Sequence, residues 1–214
     1  MKKNGEKRIR PNPLGLLLER IALFADILVS ALLPRRKSKR NDGEDLTNDV
    51  QPFINTQGSA EMRRLTYGSY PLSYNGCGII AAYNALTCSG KRASVRNITE
   101  VFLSERVNTG GALFRCKYGT NPMSIPRALK KLGFDCRRVR ADSVSSDGLY
   151  VAAYWSGEGG FFSPAHFITV ETKGGTPIAY NESPRGAAVT ISPNELKKTC
   201  IRCYKLTAKE KQPR

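Results

Sequence analysis

The sequence predicts an α+β domain in which a helical half precedes an antiparallel sheet. Between residues 77 and 132 apolar side chains recur at helical spacing, whereas from 134 onward short runs rich in Val, Ile, Tyr and Thr are separated by Gly, Pro, Ser and Asp. The chain has 214 residues, 40% of them hydrophobic, enough for one domain of ordinary size plus an extension. A groove between a helical layer and a sheet layer is the natural place for a site.

The extension comes first. Residues 1–36 read as a basic block (Lys2, Lys3, Lys7, Arg8, Arg10), then an apolar stretch, then basic residues again from Arg35 to Arg40. Lys and Arg outnumber Asp and Glu by 34 to 18, a net charge of +16, and half of that excess lies in the first forty residues. Such a surplus points to an acidic partner: an anionic lipid surface, nucleic acid or an acidic substrate. Glu19, Arg20 and Asp26 interrupt the apolar stretch, which argues against a secretory signal and makes a spanning helix expensive. On a helical wheel Glu19, Asp26 and Ser30 share one line while Leu17, Ile21, Phe24 and Leu28 lie elsewhere, so the arm is an amphipathic helix. Two roles stay open for it, an anionic membrane surface bound through residues 1–40 and packing against the domain or a second copy. Nucleic acid ranks last, because the apolar face has no role there.

Residues 37–59 are polar, rich in Asn, Asp and Gly, and read as a linker. The domain then runs over 60–205, with 206–214 as a basic tail. GCGIIAAYNAL sets Ile79, Ile80, Tyr83 and Leu86 on one helical face, with Cys77 at the start. A second, shorter helix is expected over 95–105. In YGTNPMSIPRALKKLGF, an Asn-Pro turn, Ser124 as cap, Pro126 in the first turn and Gly133 as stop mark a third. FDCRRVRA, LYVAAYW, HFITVET, TPIAYNE and CIRCYKL read as strands.

Cys77 at a helix N-terminus has the position that stabilises a thiolate, through unpaired backbone amides and the positive end of the dipole. Gly76 and Gly78 beside it allow a tight turn and the close approach of a substrate carbonyl. His166 is the single histidine of the chain, so no other imidazole can take the thiol proton. It opens the strand HFITVET. Asn181, fifteen residues on, falls on the neighbouring strand, either as the group that orients the ring or as a turn former ahead of Glu182, Ser183 and Pro184.

Cys77 in GCGIIAAYNAL, His166 in AHFITVE and Asn181 in IAYNESP resemble, in order and spacing, the motifs of bacteriocin-processing, papain-like cysteine peptidases. The resemblance covers about 145 residues, from Ala60 to Tyr204. It implies a papain-like fold and a hydrolase that needs no cofactor or metal: Cys77 attacks a peptide or amide carbonyl, His166 shuttles the proton, and Asn181 orients His166. The family usually carries a Gln about six residues before the nucleophile as an oxyanion donor. Here that stretch is Tyr70, Pro71, Leu72 and Ser73, so Asn75 or Tyr74 would have to serve beside the Cys77 amide, and Gln57 lies twenty residues upstream. This departure keeps a second reading open, a catalytically silent homologue that binds a peptide or protein partner.

Cys200 and Cys203 form a CxxC without a second pair or histidine cluster at zinc spacing, and read as structural. Arg137, Arg138 and Arg140 suggest a solvated strand face first and a site for phosphate or an acidic peptide second. Trp155, Phe161 and Phe162 read as core and loop anchors before a substrate wall. The expected location is cytoplasmic, either free or peripheral on the inner face of the membrane.

Overall fold

The computed structural model describes residues 53–91, 94–108, 119–156, 165–182 and 186–209. The arm, the first part of the linker, Cys116, Phe161, Phe162 and the last five residues lie outside them. A short helix α1 (Ala60–Arg64) leads through a minimal hairpin, β1 (Thr66–Tyr67) and β2 (Tyr70–Pro71), into one helical turn, α2 (Leu72–Asn75). The central helix α3 (Cys77–Cys88) follows, then α4 (Val95–Ser104) and α5 (Ile125–Lys131). The sheet half holds β3 (Phe134–Val139), β4 (Gly148–Trp155), β5 (Ala165–Lys173), β6 (Thr176–Tyr180), β7 (Val189–Thr190) and β8 (Cys200–Ala208). A 3-10 turn (Ala141–Ser145) and helix α6 (Pro193–Thr199) complete it.

Every residue of α3 from Cys77 to Leu86 is buried. A helix apolar on all sides belongs in a core, and α3 is enclosed between α4 and the β4–β5 part of the sheet. Its backbone is tied to the sheet directly, because the Thr169 hydroxyl donates to the Ala81 carbonyl at 2.6 Å. Asn84 is also fully buried, and its amide is satisfied by the main chain of an upstream residue: Ile54 N–H donates to Oδ1 at 2.9 Å, and Nδ2 donates to the Ile54 carbonyl at 2.8 Å. Phe53 stacks on Tyr180 at 4.3 Å, and Gln57 Nε2 donates to the Leu72 carbonyl at 3.0 Å. Residues 53–59, assigned by composition to the linker, are thus held on the domain. Composition missed this because the docking bonds use side-chain amides and main-chain groups rather than an apolar stripe.

The strands form one antiparallel sheet in the order β3-β8-β4-β5-β6-β7. Alternation divides its faces: Val151, Ala153, Phe167 and Leu206 join the core under α3, whereas Tyr150, Ala152, Ile168 and Cys203 join a second core under α6 and the 3-10 turn. The helices and strands expected over 77–88, 95–105, 125–132 and 134–206 are present. Differences lie at the edges. Ser124 occupies the N-cap position of α5 but makes no capping bond. The Asn121 side chain accepts from Met123 N–H at 2.8 Å and organises the turn instead. Thr207 and Ala208, expected in the tail, extend β8, with Ala208 opposite Phe134.

Replacing Asn84 by Ala removes two hydrogen bonds and leaves the Ile54 amide and carbonyl to find water. The expected cost is about 2–3 kcal/mol in urea unfolding. A loss under about 0.5 kcal/mol would show that residues 53–59 are not held by this clamp.

Candidate active site

The end of α3 that carries Cys77 meets the start of β5. Helix α2 runs into α3 with no loop between them: Gly76 N–H donates to the Leu72 carbonyl at 2.8 Å and Ile80 N–H to the Gly76 carbonyl at 2.9 Å. A Cβ at position 76 would lie 2.6 Å from the Leu72 carbonyl oxygen, so the junction needs glycine. Gly78 has a different reason from the one expected. A Cβ there would fall 2.3 Å from Thr120 Oγ1 and 2.6 Å from Thr120 Cβ, so its absence admits Thr120 against the helix rather than a substrate carbonyl.

Cys77 Sγ donates to the Ala165 carbonyl oxygen at 3.9 Å, which places the thiol beside the residue that precedes His166. His166 Nε2 lies 2.6 Å from the main-chain carbonyl of Asn181. A carbonyl only accepts, so Nε2 carries the hydrogen, and Nδ1 is the nitrogen left for the sulfur. The imidazole is half-buried and feels opposing effects. Burial pulls its pKa down, but the Cys77 hydrogen bond and charge, the Asn181 carbonyl and the Glu182 charge together hold it above the ordinary histidine value.

Asn181 therefore meets His166 through its main-chain carbonyl. Its φ of +67° is left-handed, a conformation that asparagine tolerates better than most residues, and it aims the carbonyl back at the ring. The side-chain amide donates to the Phe167 carbonyl at 3.3 Å, fixing the strand one residue past the histidine. The turn-forming and orienting readings of Asn181 are thus parts of one geometry.

Two residues that the sequence reading passed over complete the surroundings. Tyr154 pairs with His166 across β4 and β5, its ring meeting the imidazole edge-on at 5.7 Å and 87°. Its hydroxyl donates to Glu182 Oε2 in a short hydrogen bond. Burial, followed by this bond and the Glu182 charge, raises the phenol pKa well above its usual value, so Tyr154 remains a donor. The available signal was positional: Glu182 adjoins Asn181, and Tyr154 is the register partner of His166.

The residues nominated as oxyanion donors have other contacts. Asn75 is buried and its Nδ2 donates to the Tyr67 carbonyl at 3.0 Å, so that donor serves the β1–β2 hairpin. Tyr74 is 58% exposed and stacks on Tyr70 at 5.4 Å. Trp155 is half-buried at the end of β4. Cys88, Cys136, Cys200 and Cys203 are free thiols whose pKa burial pushes up, to about 12, 11, 11 and 12. Among the described residues, no group of His, Cys, Asp and Glu could hold a metal ion, and no helix is long and apolar enough to cross a membrane.

No family model matches the chain, and neither does any curated protein. Among solved structures it is similar to the peptidase domain of Streptococcus ComA, a bi-functional ABC transporter involved in a quorum-sensing pathway. The identity is 19% and the TM-score 0.46, over 63% of this chain and 91% of that one. The peptidase domain of Streptococcus mutans ComA matches at 20% identity and a TM-score of 0.34, over 42% of this chain and 77% of that one.

Because the chain has one histidine, its imidazole gives one proton resonance to follow against pH. The expected midpoint lies above about 6.5 and falls in Cys77→Ala, which removes two of the causes that raise it and leaves the burial. With the folded value raised, the protonated ring contributes stability that is fully present below about pH 6.5 and is lost as pH rises through the folded midpoint. A midpoint at or below 6.5 would contradict the proposed pairing.

Proposed function

We propose that the domain is a cysteine peptidase of the papain type, acting on a peptide or protein substrate. The observation that supports it most is the coincidence of the only imidazole with a helix-start cysteine, its far nitrogen pinned by the Asn181 carbonyl. In this reading the Cys77 thiolate attacks the scissile carbonyl, and the C–N bond breaks as His166 gives its proton to the leaving amine. Water, deprotonated by the now neutral ring, then attacks the acyl-enzyme and releases the acid. The Cys77 backbone N–H at the first turn of α3 is the first oxyanion donor.

Tyr154 and Glu182 enter this mechanism as positioning residues. The carboxylate lies close enough to favour the imidazolium, and the phenol bonded to it walls one side of the ring. Residues 1–40 fit attachment to an anionic membrane surface, with a cytoplasmic, peripheral location.

A second reading, a silent homologue that binds a peptide in the same cleft, draws on a specific observation. No glutamine occupies 70–73, and the Asn75 amide nitrogen is engaged with Tyr67. A missing side-chain donor costs on the order of 10²–10³ in rate. The two readings separate on turnover.

Iodoacetamide at pH 7 is expected to label Cys77 ahead of Cys88, Cys136, Cys200 and Cys203, because those four thiols stay protonated far above that pH. Labelling at equal rates would remove the activated-nucleophile argument. Cleavage of a peptide library should drop at least about 10³-fold in Cys77→Ala. Full-length protein that cleaves nothing yet binds peptides would favour the silent homologue. Flotation with phosphatidylserine vesicles is expected for the full chain and lost on deleting residues 1–40, and failure of the full chain to float would refute membrane attachment.

A further inference from the structure

The arginines singled out in β3 line a groove. Arg138 and Arg140 at the end of β3, Arg202 on β8 and Lys197 on α6 surround a cavity of about 590 Å³ whose remaining lining includes Cys200 and Cys203. No acidic residue lines it. Asp142 pairs with Arg140 at 3.0 Å and lies 3.7 Å from Lys197, so one carboxylate answers two of the four cations. Among the described residues, no carboxylate pairs with Arg138 or Arg202. Burial keeps both cysteine thiols protonated, so they add no negative charge. The groove thus carries a surplus of three positive charges around a neutral, thiol-lined surface.

Its position relates it to the candidate site. Tyr154 pairs with His166 on one side and with Cys200 on the other, so His166, Tyr154 and Cys200 form one row across β5, β4 and β8. Strands lie about 4.8 Å apart, which places Cys200 roughly 10 Å from His166 and β3 about 5 Å beyond it. An extended peptide advances about 3.3 Å per residue. A substrate whose scissile bond sits between Cys77 and His166 reaches Cys200 in about three residues, Arg202 and the end of β3 in four or five, and Arg138, which pairs with Tyr204 farther along β8, in about six.

Resting on the peptidase reading, we propose that this groove is a specificity subsite: it receives Asp or Glu side chains of the peptide substrate, three to six positions from the scissile bond. The lining favours a peptide over single-stranded nucleic acid, which binds by stacking bases on aromatic side chains; this groove has none. Arginine forks match carboxylates bidentately, and the exposed rim of Arg138, Arg140 and Lys197 lets an extended chain enter from the side.

The test uses the full chain carrying Cys77→Ala and two fluorescent decapeptides, one with Asp and Glu at the predicted positions and the other with Asn and Gln in their place. Anisotropy at 150 mM salt, where the Debye length is about 8 Å, should show the acidic peptide binding at least about tenfold tighter. Arg138→Glu/Arg202→Glu should erase that preference. Lys130→Glu/Lys131→Glu, the same charge change on exposed positions of α5, should keep it, and unchanged circular dichroism verifies folding in both. A preference that survives Arg138→Glu/Arg202→Glu overturns the proposal and moves the acidic contact to another basic segment. Displacement of the acidic peptide by an oligo(dT) whose own binding needs Arg138 and Arg202 overturns it in favour of nucleic acid. Wild-type protein that cleaves library peptides without regard to acidic residues refutes the subsite and leaves the peptidase. Absence of any cleavage, with Arg138- and Arg202-dependent binding intact, refutes the peptidase and retains the groove as an acidic-peptide site.

Discussion

The seating of the central helix on the fifth strand is the constraint from which the candidate site follows. Helix α3 is buried along ten consecutive residues, and the Thr169 hydroxyl ties its Ala81 carbonyl to β5 in the middle of that contact. A helix enclosed on all sides cannot slide or rotate without opening voids in a close-packed interior. Because Ala81 lies one turn from Cys77 and Thr169 lies three residues from His166, this bond sets the depth at which thiol and ring meet. The geometry of the candidate site is inherited from core packing, and the polar groups around it make fine adjustments.

Those adjustments rely heavily on the main chain. His166 is held by a carbonyl, Asn181 holds a carbonyl of β5, Asn84 grips both polar groups of Ile54, and Gln57 meets the Leu72 carbonyl. Buried side-chain amides used this way satisfy backbone groups that no regular element pairs, and they fix irregular segments without a larger apolar core. The same habit explains Asn75, whose nitrogen secures a two-residue hairpin just ahead of the nucleophile.

The periodic parts of the molecule were legible in the sequence. Ile79, Ile80, Tyr83 and Leu86 announced α3, and the Val-, Tyr- and Thr-rich runs announced five strands, because apolar spacing is a local property. Cys77 and His166 were legible through chemistry, one imidazole and one glycine-flanked cysteine. Glu182 and Tyr154 were not, because their relation to His166 depends on which strands become neighbours. Asn181 was legible as a residue beside the ring, but the atom it uses was not, since a one-dimensional motif cannot say whether an asparagine works through its amide or its carbonyl. The docking of residues 53–59 stayed hidden because polar composition looks the same in a free linker and in a strap pinned by buried amides.

The sheet order has a consequence for how the domain comes into being. Strand β8 lies between β3 and β4, so residues 134–139 and 148–155 have no edge in common until residues 200–208 arrive and pair with both. Such late, long-range closure slows folding and leaves two strand edges open in the meantime. Tyr154, the wall of the histidine, lies on one of those waiting edges. During ribosomal synthesis, then, a chain halted before β8 can already pair β4 with β5 beside α3, but the outer edge of β4 that carries Tyr154 stays open until the stretch that encodes β8 has emerged.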